Sequence, residues 1–144
     1  MAQKKEEKKP KKEVIVFARG KRKESVARVR LKKGTGKIRF NGFDVNTLEN
    51  NYMRQILLEP LELAGDVAGG VDISINVSGG GPMGQIEAAR LAIAKAVVEY
   101  TGDQSIKERM LEQDRHLLVE DSRRVEPKKY RGRKARARFQ KSYR

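Results

Sequence analysis

The chain has 144 residues, 38% hydrophobic and 36% charged, with no cysteine, one histidine and a formal net charge of +14. That length fits one domain with appendages and a small core. The missing cysteines exclude disulfides, thiolate metal sites and a cysteine nucleophile, no apolar run reaches the ~20 residues of a bilayer span, and the charge excess points to polyanionic partners.

The opening segment MAQKKEEKKPKKE carries six Lys and three Glu. It has low hydrophobicity and a proline, so residues 1–13 are expected to be a disordered leader rather than a signal peptide. The protein is expected to be soluble and cytoplasmic. Residues 14–39 hold ten Lys or Arg against one Glu, residues 40–122 hold six against fourteen Asp or Glu, and residues 123–144 hold eleven against one. Two basic segments thus flank an acidic-leaning body, which divides the chain into a leader, a folded unit over 14–122 and a basic tail over 123–144.

Val14–Arg19 is β-branched and aromatic and reads as a first strand. Ser25–Leu31 alternates, which sends Ala27, Val29 and Leu31 to the core and Arg28 and Arg30 to the other face. Lys32–Lys37 reads as a turn, Ile38–Phe40 as a strand and Asn41-Gly42 as a second turn. Thr47–Leu63 has helical spacing, with a break expected near Pro60. Val71–Val77 alternates and is a strand, and Gln85–Tyr100 is a helix with Gly102 just past its end. Ser105 with Glu108 suggests a capping box for a last helix through Gln113. Leu117–Val119 reads as a short strand or packed turn. These elements predict an α+β fold with helices covering one face of a four-stranded sheet.

Three features carry chemistry. Arg19, Lys21, Arg22 and Lys23 join the first two strands, and Arg28, Arg30, Lys32, Lys33 and Lys37 extend the basic patch. With few acids among them, they point to RNA rather than an ordinary solvated face. Gly79, Gly80 and Gly81 lead through Gly84 and Gln85 into a helix N-terminus, where backbone N–H groups favour phosphate. The lysine and Ser/Thr of a nucleotide-binding loop are absent after Gly84, so an RNA phosphate or a packed turn outranks nucleotide catalysis. The tail RRVEPKKYRGRKARARFQKSYR sets Arg123, Arg124, Lys128, Lys129, Arg131, Arg133, Lys134, Arg136 and Arg138 among Tyr130, Phe139 and Tyr143. Phosphate contacts and base-stacking surfaces are thereby interleaved, and little apolar surface is left with which to fold alone. His116 has no ligand cluster near it, and no catalytic residue, metal or cofactor is expected.

Gly79–Val97 (GGGPMGQIEAARLAIAKAV), Gly20–Val29 (GKRKESVARV), Asp121-Ser122-Arg123 and the closing Arg136–Arg144 together resemble the S-nine family of small-ribosomal-subunit proteins. The ending Ser142-Tyr143-Arg144 is similar to the archaeal and eukaryotic branch, where bacterial members commonly end Ser-Lys-Arg. The resemblance implies a sheet with helices on one face like the second domain of ribosomal protein S-five, including a left-handed crossover. It also implies small-subunit rRNA and neighbouring head proteins as partners, with no membrane and no obligate homo-oligomer. Gln140, Lys141, Ser142, Tyr143 and Arg144 would then face tRNA in the peptidyl site. A free-standing RNA or DNA chaperone and a phosphate-transferring enzyme like the small-molecule kinases of similar fold are the competing readings.

Overall fold

The computed structural model describes residues 14–139; the charged leader and the tail tip, Gln140–Arg144, lie outside that range. Five strands form one mixed sheet: β1 (Ile15–Arg22), β2 (Ser25–Lys33), β3 (Ile38–Phe40), β4 (Phe43–Asp44) and β5 (Val71–Ser78), in the order β1-β2-β5-β3-β4. β2 pairs antiparallel with β1 and β5, β4 pairs antiparallel with β3, and β3 runs parallel to β5. Three helices follow the same chain order: α1 (Asn51–Ala64), α2 (Pro82–Thr101) and α3 (Gln104–Gln113).

The period-two pattern places Ala27, Val29 and Leu31 of β2 beside Val71, Ile73, Ile75 and Val77 of β5, all buried. α2 covers this face across β1 and β2, and α1 packs on α2. Its inward residues are small: Ala88, Ala89, Ala92 and Ala96 are buried with Ile93 and Val97. Small side chains let helix and sheet approach closely, and Gly20 marks the tightest point. A Cβ there would lie 2.8 Å from Ala92 N and 3.1 Å from Ala92 Cβ, and closer still to the Ala88 carbonyl oxygen. The opposite sheet face carries no helix among the described residues, and Arg28, Arg30, Ser74 and Asn76 are exposed on it.

The predicted α+β class with helices on one sheet face is what the chain adopts, with differences in detail. The sheet has five strands rather than four, because Asn41 and Gly42 both take positive φ (49° and 90°) and fold Phe43–Asp44 back on β3. This is the two-residue hairpin geometry, and the Asn41 side chain also accepts a 2.7 Å hydrogen bond from Val77 N–H. α1 begins after Asn50, whose Oδ1 accepts from Tyr52 N–H and Met53 N–H, rather than at Thr47. It does not break at Pro60. A helix-interior proline costs ~3 kcal/mol, but Leu57, Pro60, Leu61 and Ala64 form one buried stripe, and burying each large apolar side chain returns ~1.5–3 kcal/mol. α2 starts earlier than predicted, with Pro82 in its first turn, and ends at left-handed Gly102, whose N–H donates to Val98 O. The capping box is not formed: α3 starts at Gln104 after Asp103, so Ser105 lies inside the helix. Leu117 is the buried residue of a short 3-10 turn, so the packed turn is the outcome there.

Candidate nucleic-acid interface

The strand register arranges the open face into cross-strand rows. One row runs Arg19–Arg28–Asn76, and the next runs Phe17–Arg30–Ser74–Arg39, with Asp44 beyond Arg39. A third pairs Ile15 with Lys32 and Lys32 with Asp72. Asp72 accepts hydrogen bonds from Thr35 N–H (2.8 Å) and Lys37 N–H (3.2 Å), which shape the turn between β2 and β3. Those two backbone donors, with Lys32 and Lys37 nearby, hold its carboxyl below the usual range. Lys33 and Lys37 are exposed at that turn.

β1 and β2 meet in a tight turn in which Lys23 has φ 51°. Non-glycine residues rarely hold this left-handed conformation, and it costs ~1–3 kcal/mol. The glycine loop closes onto this turn. Gly79 and Gly80 have φ of 78° and 65°; a Cβ on Gly80 would clash with the Ser25 hydroxyl, and one on Gly84 would lie 2.9 Å from it. Ser25 is buried and donates to Gly79 O at 3.0 Å, and the Gln85 side-chain amide donates to the same carbonyl at 3.2 Å. Gly79, Gly80 and Gly84 are thus packed against the β1–β2 hairpin, while a cavity lined by Lys23, Ser25, Gly80, Gly81 and Gly84 stays open beside them. Gly81 lies outside the packing, with nothing near its Cβ position.

The predicted basic residues divide into two groups. Arg22 turns inward: its side chain is only 16% exposed, and it pairs with Glu87 at 2.5 Å and with Asp121. Arg123 forks onto the same Asp121 carboxylate, at 2.8 Å from Nε and 2.6 Å from Nη2, and its N–H donates to Oδ1 at 2.7 Å. The Arg124 guanidinium donates to the Asp121 carbonyl. The side-chain bonds from Arg123, then its backbone N–H, hold the Asp121 carboxyl far below the ordinary range, with Arg22 adding to them. A second cluster joins Arg90 to Glu59 (2.7 Å) and Asp114 (2.8 Å), tying α2 to α1 and to the end of α3. Among the described residues, Arg19, Lys21, Lys23, Arg28, Arg30, Lys32, Lys33 and Lys37 form no ion pair. Arg39, on the open face with them, forms none either, and the sequence reading missed it as it missed exposed Phe17.

Beyond Asp121 the chain is irregular and exposed to Lys129, then closes a small loop. Gly132 and Arg138 form an antiparallel bridge, and Arg133 N–H donates to Ala137 O at 2.9 Å. Glu126, the one acid of the tail, pairs with Arg136 (2.8 Å) and Lys129 (3.2 Å), which together hold its carboxyl below the usual range. Backbone bonds and one carboxylate hold this loop in place of an apolar core. Arg131 sits 5.5 Å from the Tyr130 ring centroid and Arg133 sits 6.0 Å from that of Phe139. Lys128, Arg131, Arg133, Lys134 and Arg138 form no ion pair among the described residues and are exposed.

Residues 20–144 match the family described as Ribosomal protein S9/S16. The chain belongs to the ribosomal protein S9/S16 family. It is 43% identical over 130 residues to "Small ribosomal subunit protein uS9" of Methanothrix thermoacetophila, an alignment covering 90% of this chain and 98% of that one. It is 44% identical over 132 residues to the proteins of the same name from Methanococcus vannielii and Methanococcus maripaludis, with the same coverage. The S-nine resemblance, including its archaeal character, is borne out. As an S9/S16 ribosomal protein of the small subunit, the chain is a structural constituent of a ribonucleoprotein that takes part in translation. No helix among the described residues is long and apolar enough to cross a membrane.

Proposed function

We propose that this ribosomal protein anchors on small-subunit rRNA through three surfaces and reaches peptidyl-site tRNA with its tail tip. The three surfaces are the open sheet face with Arg19, Arg28 and Arg30, the hairpin tip with Lys21 and Lys23, and the tail from Arg124 to Arg138. The observation that carries the rRNA reading is the division of cations. Those that face carboxylates hold the fold or the tail loop together, as Lys129 and Arg136 do on Glu126, while the other cations of these surfaces have no carboxylate partner among the described residues and repel one another until an anion neutralises them. Lys32, Lys33 and Lys37 extend the open-face surface at its far turn. Arg22 and Arg123 serve the same binding indirectly, by holding the tail root. Gln85 and Gly79–Gly84 support the hairpin from below. In this reading residues 1–13 are a leader, 14–122 the RNA-anchored body with neighbouring head proteins around it, and 123–144 the tail; the protein works without a cofactor and without catalysis.

Gln140, Lys141, Ser142, Tyr143 and Arg144 are the tRNA-facing tip, a reading supported by the order and spacing of the S-nine motifs. Small subunits lacking Lys141–Arg144 should assemble normally but bind peptidyl-site tRNA more weakly; unchanged tRNA affinity would remove the tip from the site. Loss of all of Arg123–Arg144 should also weaken assembly, because roughly ten phosphate contacts disappear together. Stoichiometric co-sedimentation with small subunits at high salt separates this reading from a free-standing RNA chaperone, which would wash off and spread over total RNA.

A further inference from the structure

The open sheet face combines two features that a general phosphate grip does not need. Arg19 on β1 and Arg28 on β2 are directly opposite each other. Like charges in that position destabilise a sheet, and neither guanidinium has an acidic partner among the described residues. One row away lies Phe17, opposite Arg30 and 69% exposed. Residues two apart on a strand are ~7 Å apart, and neighbouring strands are ~4.8 Å apart. Ring and guanidiniums therefore crowd one small area, with the polar side chains of Ser74 and Asn76 beside them on β5.

An opposed arginine pair fits one phosphate between its guanidiniums, which would relieve the repulsion that the free sheet carries. An exposed ring on a flat sheet fits the face of a base, and such stacking is available only where the base is not already paired and stacked in a duplex. We propose that this face seats an unpaired RNA nucleotide, with its base on the Phe17 ring and the adjoining phosphate between Arg19 and Arg28. Arg30, directly opposite Phe17, offers hydrogen bonds to the edge of that base. The proposal rests on the rRNA-binding reading above and narrows it from backbone contact to recognition of a single-stranded position.

The test is chemical probing of rRNA in small subunits reconstituted with the full chain, comparing wild type with F17A, F17L and the double variant R19Q/R28Q. Phe17 is exposed, so F17A leaves the fold unchanged, and F17L keeps apolar bulk while removing the aromatic face. Wild type should protect a defined unpaired nucleotide. F17A and F17L should each restore reactivity at its base edge, with about a tenfold loss of protection expected from one stacked base, and leave the rest of the footprint intact. R19Q/R28Q should restore cleavage of its sugar-phosphate. An unchanged footprint with F17A, or protection confined to paired nucleotides, would overturn the proposal. So would loss of a neighbouring protein in place of a change in RNA reactivity. A wild-type chain that leaves no footprint on the rRNA would instead overturn the parent reading.

Discussion

Gly20→Ala tests whether close approach of β1 to α2 sets the body's stability and the aim of its tail. The added methyl group would lie 2.8 Å from Ala92 N and 3.1 Å from Ala92 Cβ. Relaxed contacts between heavy atoms lie near ~3.5–4.0 Å, so strand and helix must part by several tenths of an ångström or more. The obstructing atoms are helix backbone and a short side chain, which have no rotamer by which to escape. Overpacking of this kind costs ~1–3 kcal/mol. Gly69→Ala is the matched control, since nothing lies within 4 Å of its Cβ position and its φ is not positive; a shift within ~0.5 kcal/mol is expected there. Urea unfolding of the full chain followed by circular dichroism measures both, with the slope checked for constancy. Gly20→Ala should also separate Arg22 on β1 from Glu87 on α2, so trypsin should cut faster near Arg123. Equal midpoints for the two variants would refute the packing argument.

Asp121→Asn should speed trypsin cleavage after Arg123 and Arg124 while moving the unfolding midpoint of the body little; unchanged cleavage would mean that the carboxylate does not hold the tail root. Because the folded Asp121 carboxyl is depressed by Arg123 and Arg22, its contribution is fully present above the unfolded value of ~3.9 and is lost as pH falls through the lower folded one. A carboxyl-carbon NMR titration should accordingly place its midpoint below that of a model-peptide aspartate, and a midpoint at the peptide value would contradict the geometry. Glu126→Gln should loosen the loop over 126–138 and accelerate hydrogen exchange at Arg133 N–H; unaltered exchange would assign the loop to its backbone bridge alone.

The sheet and its long helix were legible because β2, β5 and α2 have long, strongly periodic patterns. β4 was not, since two residues cannot display alternation, although Asn41-Gly42 announced the turn before it. The break expected at Pro60 followed from local backbone chemistry, which tertiary burial of the Leu57–Ala64 stripe overrides. At the interface, charge runs located the basic surfaces but could not separate structural from available cations. Arg22 and Lys23 are neighbours in sequence, yet Arg22 ends β1 facing Glu87 and Asp121 while Lys23 stands in the left-handed turn at the hairpin tip. Asp121 lies 99 positions from Arg22, so only the fold could pair them. Phe17 is not legible as exposed, because Val14–Ala18 is apolar at every position and shows no alternation to tell its two faces apart.

The Asp121 junction also has a mechanical meaning. The seven residues from Arg123 to Lys129 could span at most ~3.3–3.6 Å each before the chain closes into its loop, which makes them an arm that carries the loop on a narrow bearing. Any angular play at the root would be multiplied along the arm and would spread its far end through a wide arc. Four separate donors on one carboxylate, from two distant parts of the chain, remove that play where the leverage is greatest, so the arm leaves the body already pointed.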